Sequence, residues 1–232
     1  MNEILFLGFS LFLMTLNLFA LKGGKSLLTL LIVVYTITMN IFVVKQLDLF
    51  GLAVTGGNAL YGAMFLATDL LSEHYGTKAA RRSVFLGFFA MIVFVLLMQV
   101  LLLFETNEYD YAQDALNTLF TLTPRIIVGS LLAYFVAQNI DIYIYEWIKK
   151  RTKGKHLWLR NNGSTMISQL IDTLIFTSVG LTAFSFLPFS GVIPTEVFWQ
   201  NVLFTYLIKL LVAGIDTPFL YLSRLVMKKI KG

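Results

Sequence analysis

The chain contains no cysteine. That excludes a disulfide framework, thiolate chemistry and any cysteine-based metal centre. Charge is scarce as well: Asp, Glu, Lys and Arg make up 13% of the residues, about half the share of an ordinary globular domain. There is no Walker loop, HExxH pair or nucleophile elbow, so the usual marks of nucleotide, zinc and acyl-transfer chemistry are missing. Gly51, Gly56, Gly57 and Gly62 are no phosphate loop, because no Lys-Ser/Thr follows and no strand is expected before them. Close helix packing, or a broken helix at the outer mouth of a bundle, accounts for them better. His74 and His156 stand alone and read as edge residues.

Apolar residues make up 57% of the chain, and its mean hydropathy is strongly positive. Runs of about 20 apolar residues, enough to cross a hydrocarbon core, recur throughout. Seven can be drawn, at 2–21, 26–44, 51–72, 83–104, 124–147, 163–187 and 197–225. The expected fold is all-α: a polytopic transmembrane helical bundle forming a single membrane domain over 1–232. The short alternating segments of a β-barrel do not occur. The loops are too short for a soluble domain. The opening MNEILFLGF lacks a basic region and a cleavage site, so 2–21 reads as a retained helix rather than a signal peptide. Residues 111–123 read as interfacial or as the start of the next helix.

The basic balance is no sign of nucleic acid, because Lys and Arg sit at segment ends. The first, third and fifth connections and the tail are basic, with Lys22, Lys25, Lys78, Arg81, Arg82, Lys149, Lys150, Arg151, Lys153, Lys155 and Arg160 among them. The even connections are acidic or neutral. This alternation predicts an outer N-terminus and a cytoplasmic C-terminus in a bacterial-type inner membrane.

Ionisable groups inside a hydrocarbon layer are costly and need a partner or a wet cavity. Asp172 falls about nine residues into the sixth segment, near mid-membrane at 1.5 Å per residue. Ser168, Gln169 and Asp172 share one helical face. Lys209 lies about as deep in the seventh segment, on a stripe with Tyr206, Ala213 and Asp216. An Asp172–Lys209 pair is therefore expected, either as part of a site or as a lock between two helices. Gln138 and Asp141 share a face of the fifth segment, where Asp141 can alternatively reach interfacial water. The stretches Gln138–Asp141 and Gln169–Asp172 have the same polar ends: QNID and QLID. Arg125 can face a cavity or snorkel outward. Asn40 can bind ligand or bridge two helices. Asp69 and Glu73 lie four residues apart on one face at the cytoplasmic end of the third segment. Tyr134, Tyr143, Phe176 and Trp199 can stack on a planar ligand or belong to an interfacial belt. Carboxylates, amides, hydroxyls and one Lys in an aromatic-rich bundle suit a small, flat, polar heterocycle. A carboxylate accepts two bonds from a guanine-like N–H and amine, and an amide pairs with the remaining edge.

Residues 65–82, FLATDLLSEHYGTKAARR, resemble the queuosine-precursor transporter family, also called the vitamin-uptake-transporter-like family. The matching residues are Thr68, Asp69, Leu70, Leu71, Glu73, Tyr75, Gly76, Ala80 and Arg81. Further matches follow the family's order: Asn40, then Arg125, Ser130, Tyr134, Gln138 and Asp141, then Ser168, Asp172, Thr173 and Phe176, and finally Lys209. The resemblance runs from about Thr36 to the C-terminus. Segment 2–21 departs from it and looks like an addition to a six-helix core at 26–232. Six helices also resemble the substrate-binding components of energy-coupling-factor vitamin transporters.

The resemblance implies uptake of a 7-deazaguanine (7-cyano-7-deazaguanine, 7-aminomethyl-7-deazaguanine or queuine) for tRNA modification, without cofactor or enzymatic activity. Asp172 and Asp141 would read the donor edge of the base, with Gln138, Gln169 and Asn40 completing the bonding beside Ser168 and Arg125. Lys209 would neutralise a pocket acid or meet the base carbonyl. Asp69 and Glu73 would form the cytoplasmic gate, with Arg81 or Arg82 as partner, and Asp69 is alternatively a site for a coupling proton. A substrate-binding subunit served by a separate ATPase is the competing reading.

Overall fold

A computed structural model of the chain describes residues 1–42, 45–120, 124–182 and 195–231, without the side chains at 46, 52–55, 124–127, 197 and 229–231. Its helices are α1 (Asn2–Lys22), α2 (Lys25–Phe42), α3 (Gly57–His74), α4 (Thr77–Leu101), α5 (Gln113–Phe120), α6 (Pro124–Arg151), α7 (Leu157–Ile175) and α8 (Phe198–Lys231). The seven long helices correspond to the seven apolar segments, and the fold is an all-α polytopic bundle. Helices α1, α2, α4, α7 with its continuation, and α8 are each long and apolar enough to cross a membrane.

Helix α3 is the centre. Every residue from Gly57 to Ser72 except Tyr61 is buried, and α1, α2, α4, α6 and α8 all pack on it. Asn58, Thr68, Asp69 and Ser72 would be costly against lipid; enclosure by five helices removes that cost. Helix α4 is the opposite case, with Phe85, Phe89, Leu96 and Leu97 exposed along its outer face. Helix α1 is held by more than apolar contact: Asn17 Nδ2 donates to Ala63 O at 2.7 Å, and the Tyr35 hydroxyl donates to Asn17 Oδ1 at 3.2 Å.

Glycine allows two close approaches. A Cβ on Gly62 would run into Val212 Cγ1, and one on Gly129 would meet Gly180 Cα and N at 2.6 Å. Gly180 lies in a π-helical turn, Phe176–Leu181, that continues α7. Such wider turns often mark functional sites in helices.

Several expected boundaries move. Residues 46–49 and 52–55 pair as an antiparallel hairpin, so the third span starts at Gly57 rather than Gly51, and a strand does precede the glycines. Phe50 and Gly51 both adopt positive φ at the turn, as a tight hairpin requires. The hairpin is tied to α1, because Asn2 Nδ2 donates to Asp48 O and Phe50 N donates to Glu3 Oε1, each at 3.3 Å. Lys78, Arg81 and Arg82 fall inside the first turns of α4. Helix α7 begins at Leu157, so Arg160 belongs to a helix and not to the basic loop. Residues 113–120 form a separate short helix, which Asp110 Oδ1 caps by accepting from Ala112 N and Gln113 N. Gln99 Nε2 donates to Phe120 O at 2.8 Å and holds α5 to α4. The long helices alternate in direction. One end of the bundle gathers the C-termini of α1, α3, α6 and α8 and is the basic end; the opposite end carries the hairpin.

Candidate functional site

Polar side chains form a column through the bundle from the basic end inward. At that end stands Glu73, whose Oε1 meets Arg160 Nη2 at 2.6 Å and Arg224 Nη2 at 2.8 Å, and whose Oε2 meets Lys149 Nζ at 3.2 Å. The Tyr145 hydroxyl donates to Oε2 at 3.2 Å. Arg160 is wholly buried, donates to Gly154 O at 2.9 Å and lies 5.4 Å from the Tyr145 ring centre. Helices α3, α6, α7 and α8 thus converge on one carboxylate. Beside it, His74 Nε2 and Ser223 Oγ share a hydrogen bond of 2.8 Å.

The next layer in holds three buried acids, Asp69, Asp141 and Asp216. Ser168 Oγ donates to Asp141 Oδ1 at 2.9 Å, joining α7 to α6. Asn161 Nδ2 donates to Asp216 Oδ1 at 2.5 Å, joining α7 to α8. Asp69 faces Asp141.

Deeper still, roughly 18 Å along α7 from Arg160 at 1.5 Å per residue, Lys209 Nζ bonds Asp172 Oδ2. The same ammonium lies 4.7 Å from the Tyr61 ring centre, within cation–π range. Among the described residues, Asp172 Oδ1, Gln169 Oε1 and both polar atoms of Gln138 have no hydrogen-bond partner in the protein. These groups are buried. Beyond them, Ser130 Oγ donates to Asn40 Oδ1 at 2.8 Å, Asn40 Nδ2 donates to Thr36 O at 2.9 Å, and Thr36 Oγ1 meets the Tyr134 hydroxyl at 3.3 Å.

The structure therefore brings together Asp172 and Lys209, and also Asp141 and Ser168. It sets Asn40 in a bridge between α2 and α6. Arg81 and Arg82 are exposed on α4, and the cations on Glu73 are Arg160, Lys149 and Arg224 instead. The Arg125 side chain lies outside the described residues. Tyr134 is buried, whereas Tyr143 and Trp199 are exposed.

The family described as "Putative vitamin uptake transporter" matches residues 55–223. The chain belongs to that family. It is a multi-pass membrane protein, and α3 and the acids Asp69, Glu73, Asp141, Asp172 and Asp216 lie inside the matched region. It is 43% identical over 205 residues to the "Probable queuosine precursor transporter" of Bacillus subtilis (strain 168), covering 88% of this chain and 86% of that relative. It is 27% identical over 139 residues to the "Queuosine precursor transporter" of Escherichia coli (strain K12), covering 59% of each chain. The "Probable queuosine precursor transporter" of Haemophilus influenzae matches at 24% over 145 residues, 62% of this chain and 59% of its own. No solved structure matches.

Sequence reasoning missed Arg160, Asn161 and Tyr61 as members of the column. Arg160 and Asn161 sit next to the run of Lys and Arg, which hid them in an apparent loop. Tyr61 was masked by the glycines on either side of it.

Proposed function

We propose that the chain imports a queuosine precursor, a 7-deazaguanine such as 7-cyano-7-deazaguanine, 7-aminomethyl-7-deazaguanine or queuine, for tRNA modification. The carrying observation is the middle layer. Asp172 keeps one oxygen for a ligand while Lys209 holds the other, and the buried amides of Gln138 and Gln169 lie in the same layer with polar atoms to offer. A carboxylate oxygen beside an amide matches the N–H and amine edge of a guanine-like ring. Tyr61 provides an aromatic face. The names of the relatives in Bacillus, Escherichia and Haemophilus point to the same substrate class.

The N-terminus faces out and the basic end faces the cytoplasm, following the distribution of Lys and Arg. Glu73 and its three cations then close the cytoplasmic exit. Asp172 and Lys209 bind substrate, Gln138 and Gln169 orient it, and Asn40 and Ser130 line the approach from outside. Helix α1 is an addition to a six-helix core, within one membrane domain. A proton supplies the driving force.

Uptake of labelled 7-aminomethyl-7-deazaguanine into proteoliposomes containing the purified chain alone tests this reading, with biotin and riboflavin as competitors. The expected result is accumulation without ATP, blocked by unlabelled deazaguanines and not by the vitamins. Uptake that required a partner ATPase would make the chain a substrate-binding subunit, and competition by a vitamin would overturn the substrate class.

A further inference from the structure

Between the Glu73 layer and the Asp172–Lys209 layer, the bundle buries the carboxyls of Asp69, Asp141 and Asp216 at 0% exposure. Among the described residues none of the three forms an ion pair with Lys or Arg. The cations above and below are already engaged, Arg160, Lys149 and Arg224 by Glu73 and Lys209 by Asp172. Asp141 has a donor on one oxygen: Ser168 Oγ bonds its Oδ1 at 2.9 Å. Asp216 has the Asn161 amide. Asp69 has none, as both its oxygens lack a donor, and so does Asp141 Oδ2. These two carboxyls face one another within hydrogen-bonding reach.

Two buried carboxylates cannot share such a contact while both are ionised, because both are then acceptors only. One proton turns the clash into an O–H···O bond. Ser168 donates to Asp141, while no donor among the described residues reaches either oxygen of Asp69, so the proton sits on Asp69. We infer that Asp69 and Asp141 form the proton-binding site of the transport cycle. The inference deepens the proposed import function and rests on it.

The surroundings agree. On α3, Glu73 is the nearest further acid, and it is neutralised. Helix α6 adds Tyr145, α7 contributes Ser168 and the Glu73-bound Arg160, and α8 contributes Asp216. The buried residues of α1 and α4 include no ionisable group, and those of α2 include only Tyr35, which is bonded to Asn17. A proton on Asp69 is therefore shielded from every nearby cation while the Glu73 layer is closed. Release needs water from the basic end, so loss of the proton and opening of that layer go together.

Two measurements test this. The first needs no substrate. Infrared spectra of the purified chain at neutral pH are expected to show a protonated-carboxyl stretch that shifts in heavy water. It is expected to vanish in Asp69→Asn and in Asp141→Asn, whose amide can donate to Asp69 in place of the proton, and to persist in Glu73→Gln. A band unchanged in both Asp69→Asn and Asp141→Asn overturns the site, and this result stands even if the substrate assignment fails. The second uses proteoliposomes and labelled 7-aminomethyl-7-deazaguanine. In Asp69→Asn, accumulation driven by a pH gradient is expected to be lost while substrate exchange without a gradient is kept. Accumulation at the wild-type level, loss of exchange in folded protein, or driving by a sodium gradient instead would each overturn the coupling role. Absence of any wild-type uptake or exchange would instead reject the import function. If Asp69→Asn does not fold, Asp141→Asn carries the infrared test, and the sodium arm on the wild type carries the other.

Discussion

Arg160 on α7 and Glu73 on α3 meet at 2.6 Å, with the guanidinium wholly buried. Removing one partner of a buried pair typically costs about 3–5 kcal/mol, because the other charge stays uncompensated. Among the described residues, Glu73→Gln leaves Arg160 with Gly154 O and the Tyr145 ring. It is expected to lower unfolding stability in detergent by roughly 3 kcal/mol. Arg224 is 42% exposed in its contact with the same acid, so Arg224→Ala should cost less than about 1 kcal/mol. Equal losses for the two variants would mean that Glu73 is not organised around Arg160.

The Asp172–Lys209 pair invites a double substitution. Asp172→Asn alone strands the Lys209 ammonium against the Tyr61 ring, so both stability and deazaguanine binding should fall. Replacing a buried pair by neutral groups is often near neutral for stability. Asp172→Asn with Lys209→Gln should therefore recover the melting temperature. It should not recover binding, which should stay at least tenfold weaker, about 1.4 kcal/mol. A double variant that binds and transports normally would reduce the pair to a helix lock.

Gly129 and Gly180 offer a test of packing alone. A Cβ at Gly129 would press on backbone atoms at 2.6 Å, whereas one at Gly8 meets nothing within 4 Å. Gly129→Ala should destabilise by about 1–3 kcal/mol, the usual cost of overpacking. Gly8→Ala should be neutral or gain up to about 1 kcal/mol from helix propensity. Thermal unfolding of the two purified variants in one detergent compares them directly.

Within single helices the sequence was informative. The Ser168–Gln169–Asp172 face and the matched depth of Asp172 and Lys209 follow from the helical repeat and rise, and the structure joins those two residues across α7 and α8. Partners across helices were harder to read, because spacing fixes a face but not which neighbour it meets. Arg81 and Arg82 are close to Glu73 in the chain, yet they point away on α4, while Arg160 and Arg224 reach it from distant positions. Asp69 was expected to sit with Glu73 at the bundle edge. One helical turn is enough to bury it beside Asp141 instead, because α6 crosses α3 there. The hairpin was hidden because 52–55 is as apolar as the span it precedes.

Orientation can be tested cleanly because the chain has no native cysteine, so any introduced thiol is the only one to report. Tyr111, 97% exposed, precedes α5 at the hairpin end, and Lys153 is exposed in the basic connection between α6 and α7. With the basic end in the cytoplasm, Tyr111→Cys should react with a membrane-impermeant maleimide added to intact cells. Lys153→Cys should react only after the membrane is opened. The reverse pattern would place the Glu73 cluster on the outer face. Glu73 would then guard substrate entry rather than release, and Asn40 and Ser130 would face the cytoplasm. The single-cysteine pair thus decides which end of the polar column is the exit.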